Sequence, residues 1–124
     1  MFFSHWSLIK NSQWPFKYFT PYELASNGNG SLLINYDAIT KLEQVRILLN
    51  KPLIINSAYR DDLYNSLIGG SPMSYHTEGK AFDISLKNIE KNYLIEACEK
   101  VGFTGFGVNY TSFLHVDTGY KRRW

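Results

Sequence analysis

The sequence is poor in cysteine, in net charge and in long apolar segments, and each shortage excludes a class of protein. Its single cysteine, Cys98, rules out an internal disulfide and any zinc or iron–sulfur site made of four thiolates. The 13 basic and 11 acidic residues leave a net charge of +2, which is too small to indicate a nucleic-acid partner. A metal in this protein would therefore need histidine and carboxylate ligands.

Targeting and membrane signals are also lacking. No apolar run approaches the roughly 20 residues that span a bilayer, so we expect no membrane span. Residues 1–14 contain no basic stretch, no long apolar core and no small-residue cleavage site, so we expect no secretory signal and synthesis in the cytoplasm. The basic ending Lys121–Trp124 is interpreted as a solvated tail, with attraction to an anionic surface as the alternative.

The 124 residues predict one domain that covers the whole chain, residues 1–124, and nothing in them demands more than a monomer. Helices are predicted at Tyr22–Ala25 after Thr20-Pro21, at about Tyr36–Asn50, from Asp61 or Asp62 to Leu67 or Ile68, and from an Asn88 cap to Gly102. Strands are predicted at Leu53–Ile55, Ala81–Leu86, Phe103–Asn109 and Phe113–Thr118. This irregular mixture favours an α+β fold, with helices flanking a small, mostly antiparallel sheet.

Two histidine–carboxylate pairs carry the candidate chemistry. His76 lies in a loop, and Asp83 follows seven residues later on a predicted strand, with Gly79 between them permitting a sharp turn. His115 and Asp117 are two residues apart on another predicted strand, so their side chains share a face. Two imidazoles and one carboxylate suit zinc, which activates water and polarises a carbonyl. The spacing of seven is by itself weak evidence for a site and better fits a surface histidine and an unrelated aspartate.

The segments around these pairs form three ordered blocks. They are Ser57–Arg60 (S-A-Y-R), Ser74–Asp83 (S-Y-H-T-E-G-K-A-F-D) and His115–Asp117 (H-V-D). In this order they resemble the zinc D-Ala-D-Ala carboxypeptidase family, whose signature reads S-x-Y-R, S-x-H-x-x-G-x-A-x-D and H-V-D. That family includes phage and bacterial peptidoglycan endopeptidases and shares its zinc architecture with the hedgehog signalling domain. The resemblance covers about residues 14–119.

The resemblance implies one zinc ion per chain, held at one face of the sheet by His76, Asp83 and His115. Many members of the wider family carry a catalytic Glu or Asp three residues before the last zinc histidine, where this sequence has Ser112. Serine cannot take a proton from zinc-bound water near neutral pH. We therefore take Asp117 as the candidate general base, because strand periodicity places it beside His115. The alternative is that Asp117 orients a zinc-ligating imidazole.

The resemblance also points to residues that contact the substrate. Arg60 matches the family arginine that engages a substrate carboxylate or carbonyl oxygen, and a guanidinium fork suits that partner. A structural salt bridge is the alternative for this residue. Ser57, Ser74 and Tyr75 are further candidate substrate contacts, with turn formation or packing as their alternative. Glu78, in the ligand loop, is a weaker candidate for the base.

The implied function is zinc-dependent hydrolysis of peptide bonds in the stem peptides of bacterial peptidoglycan. D-Ala-D-Ala carboxypeptidase, L-Ala-D-Glu endopeptidase and cross-link endopeptidase activities all remain open. The small size and the expected lack of a signal favour a phage endolysin or cell-wall lysin that is released at lysis and acts at the wall or in the periplasm. The alternatives are a non-catalytic zinc-binding module of the same fold, which Ser112 favours, and a metal-free interaction domain.

Overall fold

The computed structural model describes all 124 residues. Its helices and strands are, in chain order, β1 (Phe2–Phe3), α1 (Pro21–Leu24), β2 (Leu32–Leu33), α2 (Tyr36–Leu49), β3 (Ile55–Ser57), α3 (Asp62–Leu67), β4 (Ala81–Ser85), α4 (Lys91–Val101), β5 (Gly105–Gly107), β6 (Phe113–Asp117) and β7 (Arg122–Arg123). Short 3-10 helices cover Trp6–Leu8, Asn11–Gln13 and Tyr75–Glu78. No helix combines the length and the apolar character that crossing a membrane requires.

The main sheet contains five strands in the order β3-β4-β6-β5-β7. Neighbouring strands are antiparallel, except that β5 and β7 run parallel. Strands β1 and β2 form a separate antiparallel pair. The predicted α+β class with a mostly antiparallel sheet is therefore confirmed.

The two faces of the main sheet have different characters, because successive residues of a strand point to opposite sides. One face is apolar and joins a single buried core with residues of α2 and α4; its central members are Phe82, Ile84, Phe106, Leu114 and Val116. The other face carries the alternate residues of the same strands, including Asp83, His115 and Asp117. Helices α2 and α4 thus pack on the apolar face, while the polar face carries buried ionisable side chains.

Three of the four α-helices begin where the sequence predicts. Thr20 caps α1, and Glu23 bonds back to the Thr20 backbone N–H in a capping box. Asn35 caps α2 by accepting from the Ala38 N–H at 3.0 Å. Asp61 caps α3 in the same way, which confirms one of the two predicted starts.

Three sequence predictions about local structure are wrong. Asn88 does not cap α4, because the helix begins at Lys91 and Glu90 caps it by accepting from the Tyr93 N–H at 2.8 Å. Strand β3 begins at Ile55 rather than ending there, since its ladder forms with β4 only from that residue. Residues 121–124 are not a solvated tail: they include β7, and the Trp124 N–H donates to the Phe106 carbonyl at 2.9 Å.

Gly79 connects the 3-10 helix that carries His76 to strand β4. Its φ of 72° lies in the left-handed region, and a Cβ there would be 2.6 Å from the Leu33 carbonyl oxygen. Gly69 has a similar φ of 77° but open space around it. A comparison of substitutions at the two glycines therefore distinguishes the strain of a left-handed backbone from the effect of close packing.

We expect Gly79→Ala to lower the free energy of unfolding by about 3 kcal/mol and Gly69→Ala by about 1 kcal/mol. Both substitutions strain a left-handed backbone, but only the one at Gly79 also forces a methyl group against the Leu33 carbonyl. Urea denaturation of the two variants beside the unchanged protein measures the difference. Equal losses would show that packing at Gly79 contributes nothing.

Candidate metal centre

Three buried side chains from different segments meet at the polar face of the sheet. His76 comes from the 3-10 helix, Asp83 from β4 and His115 from β6, and one ligand atom of each lies within 4.8 Å of the others. Asp83 and His115 are directly opposite each other in the β4–β6 ladder. The 3-10 helix is tied to the preceding chain by the Arg60 N–H, which donates to the His76 carbonyl at 3.0 Å. These are the three residues that the family resemblance implies as zinc ligands.

The tautomer of His76 is set by a backbone carbonyl. His76 Nδ1 lies 2.6 Å from the Ala58 carbonyl oxygen, which can only accept, so Nδ1 carries a hydrogen. In the neutral ring Nε2 then holds a lone pair, and it lies 3.2 Å from Asp83 Oδ1. The Nε2 lone pair and the carboxylate oxygen are both acceptors, so this contact is unfavourable unless a cation lies between the two atoms.

His115 lies between two carboxylates. Its Nε2 is 2.7 Å from Asp117 Oδ2, and its Nδ1 is 3.0 Å from the same Asp83 Oδ1 that His76 faces. A neutral imidazole has one N–H, and the shorter contact assigns it to Nε2. The lone pair of Nδ1 then points at Asp83. In the neutral set, two imidazole lone pairs and a carboxylate therefore converge on one point, which is the donor set that a divalent metal ion binds.

The pKa values of Asp83 and His115 are shifted by the contacts between carboxylates and imidazoles at this site. Burial acts to raise the pKa of Asp83, but its contacts with the imidazoles of His115 and His76 outweigh burial and hold that pKa well below its usual range. Burial acts to lower the pKa of His115, but Asp117 and Asp83 outweigh it and raise that pKa above its ordinary value. The carboxylates thus favour a cation at this point, and a bound metal would replace the proton of His115.

Asp117 is fully buried, and all its acceptor positions are filled. Oδ2 accepts from His115 Nε2 at 2.7 Å and from Arg122 Nη2 at 2.8 Å, while Oδ1 accepts from Arg122 Nη1 at 2.9 Å and from the Gly119 N–H at 3.0 Å. Burial acts to raise its pKa, but the bonds from His115 and Arg122 lower it to about 2. A carboxylate offers about four lone-pair sites. A general base needs one of them free, whereas an orienting carboxylate does not.

Arg60 lies at the edge of the metal group. Its Nη2 is 3.1 Å from Asp83 Oδ2, its Nε donates to Ser57 Oγ at 3.0 Å, and its Nη1 donates to Asn65 Oδ1 at 3.3 Å. These contacts use three of the five N–H groups of the guanidinium and leave two for another partner. The salt bridge that the sequence allowed as an alternative is therefore present, with Asp83 as the acceptor.

An open pocket of about 730 Å³ extends from the three candidate ligands. Of the predicted substrate contacts, Arg60, Ser74 and Tyr75 line it, while Ser57 does not and instead accepts from Arg60. Glu78 also lines the pocket and is exposed. Ser112 lies outside it, in a separate surface depression.

The family model described as Peptidase M15 matches residues 17–117. The chain belongs to the Peptidase M15 family. The matched range includes His76, Asp83, His115 and Asp117, and it is close to the range of about 14–119 over which the sequence motifs resemble the zinc carboxypeptidases.

Curated relatives are found in enteric bacteria. The chain is 34% identical over 82 residues to the peptidoglycan L,D-endopeptidase MepK of Escherichia coli K12, and the match has the same extent for MepK of Shigella flexneri. Each match covers 60% of this chain and 44% of the relative. The chain therefore spans a little under half the length of these relatives.

The pocket also contains residues near the C-terminus that the sequence motifs did not indicate. Tyr120, Arg122 and Trp124 all line the pocket, and Tyr110 joins them from the β5–β6 connection. The signal that could have found them is their spacing of two, which places side chains on one face of an extended chain. Because the chain ends in three consecutive basic residues and a tryptophan, this segment was interpreted as a solvated tail and not as a strand.

Proposed function

We propose that this protein is a zinc-dependent endopeptidase that hydrolyses peptide bonds in bacterial peptidoglycan. The observation that carries the proposal is the convergence of His76 Nε2, His115 Nδ1 and the Asp83 carboxylate beside an open pocket. Membership of the Peptidase M15 family supports the reaction class, and similarity to MepK supports the substrate. Zinc is favoured over magnesium or calcium because two of the three ligands are imidazoles.

His76, Asp83 and His115 would hold the zinc ion, which would supply a Lewis acid able to activate water and polarise a carbonyl. The chain itself supplies the remaining parts. Arg60 directs its two unused N–H groups to an oxygen of the substrate, where a guanidinium is suited to a carboxylate or a developing oxyanion. Asp117 orients His115 through its Nε2–H, since all its acceptor positions are already used.

Glu78 is our candidate for the residue that carries the proton. Apart from Asp83, which is a candidate metal ligand, it is the acid that lines the pocket. It is exposed, and its strongest charged contact is Lys80, at 3.5 Å, so a lone pair is available to water in the pocket. We assign general-base catalysis to Glu78 rather than to Asp117 on this ground.

The catalytic proposal is preferred to a zinc-binding module without activity. The module was favoured by the serine at position 112, but Ser112 lines a depression with Asn56 and Ser85 that is separate from the metal pocket. An acid at that position in this structure would lie outside the pocket. The absence of an acid there therefore removes no group from the site.

Action at the bacterial cell wall follows from the proposed substrate. Synthesis without a signal, release at phage lysis and the role of an endolysin stay predictions from the sequence. The same holds for a single domain over residues 1–124, a monomeric state and the absence of a nucleic-acid partner.

Zinc-loaded protein is expected to release new amino groups from purified peptidoglycan. Treatment with EDTA should reduce the release to background, and Zn²⁺ but not Mg²⁺ should restore it, because magnesium prefers oxygen ligands. Mass spectrometry of the digested muropeptides identifies the bond that is cut. Failure of the zinc-loaded protein to cleave any muropeptide would overturn the proposed function, and loss of a terminal residue alone would indicate a carboxypeptidase instead.

A further inference from the structure

A row of three residues crosses the sheet beside the metal group. Asp117 on β6 lies opposite Gly105 on β5, and Gly105 in turn lies opposite Arg122 on β7. A Cβ at Gly105 would collide with both Asp117 Oδ1 and Arg122 Nη1. The glycine thus leaves the space in which the side chains of two non-adjacent strands reach each other.

Asp117 and Arg122 fill that space with a forked ion pair. Nη1 and Nη2 of Arg122 donate to Oδ1 and Oδ2 of Asp117 at 2.9 Å and 2.8 Å. Two parallel bonds fix the plane of the carboxylate as well as its position. The Arg122 side chain is 22% exposed, whereas the carboxylate that it holds is completely buried. Oδ2 of that carboxylate is also the atom that His115 Nε2 contacts at 2.7 Å.

Three aromatic rings hold the guanidinium of Arg122 from the pocket side. Its Cζ lies 5.0 Å from the ring centre of Tyr75, 4.7 Å from that of Tyr120 and 4.8 Å from that of Trp124. A guanidinium over aromatic faces is attracted by the ring quadrupoles. The Trp124 ring also lies 5.1 Å from the ring of His115. Arg122 is therefore restrained on both sides, by Asp117 and by the rings.

From this geometry we propose that Arg122 is a positioning residue for the metal centre. By fixing the Asp117 carboxylate with two hydrogen bonds, it keeps the hydrogen of His115 on Nε2 and leaves Nδ1 as the ligand atom. This inference rests on the metal site of the proposed function. It assigns to the C-terminal strand β7 a part in metal binding.

The test measures zinc affinity by competition with a chromophoric chelator, using the full chain. Arg122→Lys keeps the charge but loses the fork, and we expect it to weaken zinc binding about 10-fold, the lower end of the range for loss of a ligand's hydrogen-bond partner, because Arg122 acts through that partner, Asp117. The matched control is Arg123→Lys on the same strand, whose side chain faces Glu99 at 3.7 Å, and its affinity should be unchanged. The double variant Asp117→Asn/Arg122→Lys should bind within about 2-fold of Asp117→Asn alone, because both changes act through one carboxylate.

Nitrogen-15 NMR of the His115 ring in the zinc-loaded protein provides a second readout. The unchanged protein and Arg123→Lys should give the pattern of an N–H at Nε2 and a ligated Nδ1, and Arg122→Lys should alter it. Zinc affinity of Arg122→Lys within 2-fold of the unchanged protein, or additive losses in the double variant, would overturn the inference. These measurements report zinc binding and not catalysis. If the protein without substitutions binds zinc but cleaves no peptide, the proposed function is overturned, while the role of Arg122 in metal binding is still tested.

Discussion

Replacement of His76 by alanine is expected to abolish zinc binding at low micromolar metal and to reduce peptidoglycan hydrolysis by about 1,000-fold or more. The substitution removes one of three candidate ligands, which should weaken zinc binding by more than the 10–100-fold typical for loss of a ligand's hydrogen-bond partner. Loss of the several kcal/mol that a metal contributes to the transition state corresponds to at least about a 1,000-fold lower rate. Metal content after gel filtration and the release of amino groups measure the two effects.

The third histidine provides the matched control. His5 lies outside the pocket and instead caps the first 3-10 helix, where its Nδ1 accepts from the Ser7 N–H at 3.2 Å. His5→Ala should keep both zinc and activity. Because His76 is buried and bonded to the Ala58 carbonyl, its alanine variant is checked by circular dichroism, and the isosteric Asp83→Asn serves as a second ligand variant. Retention of full zinc content by both folded ligand variants would contradict the proposed metal centre.

Asp117→Asn and Glu78→Gln are expected to fail in different ways. Asp117→Asn should weaken zinc binding about 10–100-fold, because it disturbs the partner that orients His115, and raising the zinc concentration should recover much of the activity. Glu78→Gln should keep zinc but lower kcat about 100-fold or more, since general-base catalysis contributes roughly 100–10,000-fold. Zinc affinity and kcat measured for both variants distinguish the orienting residue from the base.

The reverse pattern would reassign both residues. If Asp117→Asn kept zinc and lost turnover at saturating metal, Asp117 would be the base despite its filled acceptor positions. If Glu78→Gln then kept full activity, Glu78 would be only a solvated side chain beside Lys80. The two variants therefore decide between the two interpretations that the sequence left open.

Much of the fold was predictable because its signals are local. Thr20, Asn35 and Asp61 begin helices through hydrogen bonds within three residues, and such bonds depend little on the rest of the chain. The start of α4 was misplaced although its cap is also local, because Glu90 is a less common cap residue than asparagine and accepts from the Tyr93 N–H at 2.8 Å. Asn88 instead donates to the Pro52 carbonyl, 36 residues away, and no local pattern reveals that partner.

The candidate site likewise combines residues that the sequence indicates with contacts that only the folded chain creates. The sequence by itself determined the candidate ligands, because the blocks that contain His76, Asp83 and His115 have motif spacings that resemble a known zinc family. Only the tertiary structure decided what surrounds them. The forked pair between Asp117 and Arg122 depends on β7 lying parallel to β5 with Gly105 between them, and that pairing is set by the packing of the whole sheet. The basic ending, interpreted from the sequence as a solvated tail, thus contributes Arg122 to the surroundings of the candidate metal centre, because β7 pairs with a strand whose position depends on the whole sheet.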